Sequence, residues 1–214
     1  MTVGAVVLPG SPEEALADAG GRIAVRRIVD SAWAGGAMPI IVAVADADGR
    51  VATALEGSPA AVVDPLGSSG AAACLVGVQA AIAAVKETSA LLLWPGRMTW
   101  TDPETVTSLI EAHGRDGGPV VRPGRAGRPG WPVLVPADSA LRLLAEVSAT
   151  LEEVLDGVAA TTVELGDPGS VLGFDVRLED LPDYAGPPEP VGGPPPEWGA
   201  AAAESADPEV PREP

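Results

Sequence analysis

The chain has 214 residues and a formal net charge of −17, from 30 acidic and 13 basic groups, with Lys86 its only lysine and a pI near 4.2. Neutralising a phosphate backbone needs a basic footprint that this composition lacks, so nucleic acid is not expected as a partner. The length favours one domain with room for a core, and no apolar run reaches the roughly 20 residues that cross a bilayer.

Along the chain, apolar runs alternate between strand-like and helix-like patterns. Strands are expected at 2–8, 39–45, 90–94, 119–121, 132–135 and 161–165. Helices are expected at 23–34, 70–86, 103–113, 138–146 and 151–156. The helix at 70–86 carries the longest apolar run, Ala-rich and interrupted by Gly77 and Gln79, and reads as buried. Pro103 after Asp102 marks a clear start, because the Asp side chain can cap and Pro suits the first turn. This order predicts an α/β fold: a three-layer, mainly parallel sheet covered by helices. Ligands in such sheets sit beyond the C-terminal strand ends, which directs attention to loops 9–21, 65–70, 95–102 and 122–131.

The domain is expected to span 1–181. From 182 to 214, ten prolines and seven acids against one Arg predict a disordered acidic tail that serves as a spacer. Removing the tail still leaves a net charge of −11. The first nine residues lack a basic n-region and a long apolar h-region, and Cys74 has no intramolecular disulfide partner, so a cytoplasmic protein is expected. Cys74 reads as a core thiol, and His113, before Gly114, as a helix C-terminal residue. Asp46-Ala47-Asp48-Gly49 reads as a turn between strands.

Four segments carry a family resemblance. Gly127-Arg128-Pro129-Gly130-Trp131-Pro132-Val133-Leu134 is similar to a G-R-x-G-H-P-V-L motif, with Trp131 in place of His. The run from Leu92 through Trp94-Pro95-Gly96-Arg97-Met98 to Asp102-Pro103-Glu104-Thr105 resembles a strand followed by G-D-M-P-W-V and a D-P-E-T helix start. Ala5-Val6-Val7-Leu8-Pro9-Gly10-Ser11, then Gly20-Gly21-Arg22, resembles an opening strand and a later G-G-R-P-L segment. Phe174-Asp175-Val176-Arg177-Leu178-Glu179-Asp180-Leu181 resembles a closing D-[IV]-[DN]-T-P-E-D-L, one residue short. In this order they resemble the MobA-like NTP transferase family, which includes the molybdenum cofactor guanylyl- and cytidylyltransferases.

The resemblance implies a Rossmann-like fold of the nucleotide-diphospho-sugar transferase type. It also implies an ancestral reaction that moves an NMP onto a phosphorylated acceptor with release of pyrophosphate. Such chemistry needs a Gly-rich turn near the phosphates, cationic side chains, and carboxylates that hold a divalent ion, Mg²⁺ if the protein is active. Gly10 and Ser11 keep the turn, but Pro12-Glu13-Glu14 stands where the family has R-M-G-x-x-K, and Arg97 replaces the metal-binding Asp. Guanidinium has no acceptor lone pair and cannot ligate Mg²⁺.

Two readings of Arg97 remain open: a fork of donors for an anionic ligand, or a solvated surface side chain. Arg122, Arg125 and Arg128 beside Trp131 form the densest cationic cluster, read either as an anion-binding loop or as a solvated turn. Trp100, like Trp94 and Trp131, can stack on a base or pack into the sheet top. The expected nucleotide contacts are therefore Gly10, Ser11, Arg97 and Trp100, and the expected partner is a nucleotide or phosphorylated small molecule. A degenerate relative is preferred. The alternatives are an active nucleotidyltransferase and a non-catalytic module with a protein partner.

Overall fold

The computed structural model describes residues 1–115, 119–145, 149–173 and 175–182. The acidic Pro-rich tail, from 183 onward, lies outside the described residues.

Strands β1 (Thr2–Leu8), β2 (Ile40–Ala43), β3 (Ala60–Val63) and β4 (Thr88–Pro95) form the parallel half of the sheet, in the order β3-β2-β1-β4. β1 and β4 are covered on both faces, which is why they read as continuous apolar runs; Val6, Val7 and Leu91 through Trp94 are fully buried. The far half is mixed. β7 (Val133–Pro136) runs antiparallel to both β4 and β5 (Val121–Arg125). β5 also pairs with β6 (Arg128–Pro129) in a hairpin, and its other edge holds β8 (Thr161–Glu164) in parallel.

Seven α-helices are described: α1 (Pro12–Ala15), α2 (Ala24–Ala34), α3 (Arg50–Ala54), α4 (Gly70–Ala84), α5 (Pro103–Arg115), α6 (Ala137–Leu144) and α7 (Leu151–Asp156), and two short 3-10 turns at Pro168–Ser170 and Leu178–Asp180 follow. α2 packs with α5, whereas α4 packs with α6 and α7. α4 buries Ala71, Cys74, Val78 and Ala81. Its small side chains let it lie close to the sheet, against β1 and β2. No helix among the described residues is long and apolar enough to cross a membrane.

The five expected helices and the parallel sheet are present. Three departures have physical reasons. Residues 46–49 lead into a helix rather than a second strand: Asp46 accepts the Val51 and Ala52 amides at 3.0 and 2.9 Å, capping α3. β3 is a short, half-exposed strand whose four apolar residues, Ala60 to Val63, are too few to set up a periodic signal. Residues 122–125 are strand, not loop, although Pro123 and Gly124 interrupt the strand pattern; β8 and β6 supply their ladder partners.

Candidate functional site

β1 and β4 stay in register to their C-terminal ends, with Leu8 opposite Pro95, so the turns that follow them meet above the middle of the sheet. The Gly96 amide donates to the Leu8 carbonyl at 2.9 Å. A Cβ at Gly96 would stand 2.6 Å from Pro9 Cα, so only glycine fits this approach. The two turns floor a cleft of about 540 Å³ whose lining includes Gly10, Ser11, Glu14, Ser69, Arg97 and Glu152. That size suits a small-molecule ligand.

Several polar groups of the cleft are paired within the chain. The Gly10 amide donates to Glu14 Oε2 at 3.0 Å. Ser11 Oγ accepts the Glu14 amide at 3.2 Å and caps α1. Arg97 Nη2 stands 2.8 Å from Glu152 Oε1, which projects from the first turn of α7. Thr150 caps that helix through a reciprocal box with Glu153, whose acidity those hydrogen bonds increase.

Of the residues expected at a ligand site, Gly10, Ser11 and Arg97 share this cleft. Trp100 does not line it. It is buried against Ala19, Ala24 and Leu181, its Nε1 donates to the Gly173 carbonyl at 3.0 Å, and Arg27 lies over its ring at 4.8 Å. Arg122 and Trp131 are both buried, with the guanidinium 5.7 Å from the ring centroid. Arg122 donates weakly to the Gly130 carbonyl and faces Asp156 at 3.8 Å. Arg125 and Arg128 pair across the β5–β6 hairpin, so the three arginines do not share one open loop.

Glu14 and Glu152 are the charged cleft residues that the sequence reading did not single out as ligand groups. Ser11-Pro12-Glu13-Glu14 carries an S-x-x-E capping pattern that could have flagged Glu14. Nothing local signals Glu152, which reaches Arg97 only through the fold.

A buried junction forms at the start of α5. Asp167, fully buried, accepts the Thr105 hydroxyl at 2.7 Å, the Asp102 amide at 3.1 Å and the Gly169 amide at 2.7 Å. Burial pushes its carboxyl up, against the lowering effect of those hydrogen bonds. His113 is buried with Nδ1 2.8 Å from the Pro119 carbonyl, which fits its place near the end of α5.

The family model for the MobA-like NTP transferase domain matches residues 9–162. The chain belongs to the MobA-like NTP transferase family. The fold agrees with that membership. A nucleotidyl transferase from Methanothermobacter thermautotroptrophicus superposes with a TM-score of 0.61 at 22% identity, covering 76% of this chain and 87% of that one. A CMP:2-keto-3-deoxy-manno-octonic acid synthetase complexed with CTP gives 0.59 at 15%, covering 77% and 90%. A Mycobacterium tuberculosis H37Rv protein complexed with manganese, Rv0371C, gives 0.58 at 18%, covering 77% and 89%. Comparison with curated proteins gives no match.

The divalent ion that the family implies does not fit the residues of this MobA-like domain. Among the described residues no three His, Cys, Asp or Glu side chains converge as a metal-binding group. The position expected to hold the metal-binding Asp carries Arg97, already paired with Glu152. Asp175 lies nearby, since a Cβ at Gly173 would stand 2.8 Å from its Oδ1 and 3.4 Å from the Arg97 carbonyl. Carboxylates that do not converge, one of them already paired with an arginine, make a poor Mg²⁺ site.

Proposed function

We propose that this domain is a catalytically degenerate member of its family that binds a nucleotide or phosphorylated small molecule in the β1–β4 cleft, in the cytoplasm, without turning it over. The observation that carries this reading is Arg97, standing at the cleft in an ion pair where the family chemistry calls for a metal-binding acid. A guanidinium there repels a divalent ion but can bind an anion directly through two parallel N–H groups. Gly10 and Ser11 shape the turn on one side of the ligand, and Arg97 meets its charge on the other. Trp100 and the Arg122–Trp131 stack hold the surrounding loops in place.

Calorimetric titration with ATP, GTP and CTP, with and without Mg²⁺, together with a pyrophosphate-release assay, tests this. Saturable binding with pyrophosphate release at background is expected. Metal-dependent release from any of the three would establish an active nucleotidyltransferase instead, the reading favoured by the family match itself.

A further inference from the structure

Resting on the proposed ligand cleft, we infer that it selects a ligand bearing a single phosphate, as in a nucleoside monophosphate, which docks on Arg97 in exchange for Glu152 and without a divalent metal. The charges lining the cleft are Glu14, Arg97 and Glu152, two carboxylates against one guanidinium. Arg97 Nη2 is held by Glu152 at 2.8 Å. The Glu152 carboxylate thus occupies one arm of the donor fork, in the place that a phosphate would take. Glu152 is 30% exposed and stands in the first turn of a short helix, so it can swing to solvent when an anion replaces it.

Glu14 sets the limit on the charge of the ligand. Its Oε2 accepts the Gly10 amide, and its Oε1 lies 3.0 Å from where a Cβ of Gly96 would be. The carboxylate therefore sits between the two turns that floor the cleft, the space into which a second and third phosphate would extend. A triphosphate meets this carboxylate with no metal to bridge like charges, and the repulsion disfavours it. A single phosphate on Arg97 avoids it. Glu152 competes for the same fork, and Glu14 discriminates against longer phosphate chains.

The test is titration of the full chain with AMP, CMP, GMP and UMP, their triphosphates, and inorganic phosphate, each in Mg²⁺ and in EDTA. One monophosphate is expected to bind at least about tenfold more tightly than its own triphosphate, equally in both buffers. Glu152→Gln should tighten it about three- to fivefold, the scale of a partly exposed ion pair removed from the competition. Glu14→Gln should narrow the gap between monophosphate and triphosphate. Arg97→Ala should remove binding, and Arg97→Lys, which keeps the charge but not the planar fork, should weaken it about tenfold. Inorganic phosphate binding as tightly as a nucleotide supports the same seat and directs the search to phosphorylated molecules without a base. A triphosphate that binds more tightly, or only with Mg²⁺, overturns this inference while leaving the ligand cleft standing. No binding of any of these probes overturns both.

Discussion

The Asp167 carboxylate accepts the Thr105 hydroxyl at 2.7 Å deep inside the protein, fastening the segment after β8 to the first turn of α5. The same carboxylate holds the Asp102 and Gly169 amides. Asp167→Ala leaves these donors buried without an acceptor. The expected loss is about 3 kcal/mol, or a fall of about 10 °C in Tm, read by thermal unfolding.

The pH dependence of that junction follows from its burial. Because burial raises the folded carboxyl above its ordinary 3.8, the unfolded chain releases this proton first as pH rises. The protonated form is favoured in the folded state, so the stability that Asp167 contributes is largest below pH 3.8 and declines as pH rises through the raised value. As pH rises over that interval, wild type should lose stability relative to Asp167→Asn, which cannot titrate, in denaturant melts at stepped pH. Parallel curves would show that this carboxyl does not titrate differently in the two states.

Arg122 and its partner should respond unequally to truncation. Asp156 is 72% exposed and 3.8 Å away, whereas Arg122 is buried over Trp131. Burial pushes the guanidinium's proton affinity down, and the Asp156 charge partly restores it. Asp156→Ala should change stability by no more than about 0.5 kcal/mol, the scale of an exposed pair. Arg122→Ala should cost about 2 kcal/mol through lost packing on the indole. Equal losses in chemical denaturation would mean that the ion pair, not the stacking, holds this corner.

How far the sequence could be read divides along the same line between local and long-range interactions. β1, β4 and the five longer helices are legible because each buries a periodic or continuous apolar face of its own. The strand at 121–125 is not, since Pro123 and Gly124 suppress the local signal and its pairing comes from β6 and β8. In the cleft, Gly10 and Arg97 are legible from motifs that follow two strands. Their carboxylate partners separate in the same way: Glu14 follows Gly10 within one turn, but Glu152 is placed beside Arg97 only by the packing of α7 on α4.

Cys74 offers a probe of global opening. It is fully buried in α4, and burial pushes its thiol up to about 12, so the reactive thiolate is scarce at neutral pH. Native protein should resist alkylation by iodoacetamide at pH 8 and react promptly in denaturant. Rapid native labelling would mean that α4 opens locally, well below the global unfolding free energy.

Gly96→Ala should couple the fold to the cleft in one measurement. The added Cβ would stand 2.6 Å from Pro9 Cα and 3.0 Å from Glu14 Oε1, so the backbone of the β1 turn must move and the Glu14 carboxylate must give with it. Displacing backbone in a packed turn is expected to cost about 1–3 kcal/mol. Where the shift of Glu14 also releases the Gly10 amide, discrimination between one phosphate and three should weaken along with stability. Thermal melts and phosphate-series titrations on the same preparation separate the two effects. A variant with unchanged melting and unchanged ligand preference would show that the two turns are not in tight contact.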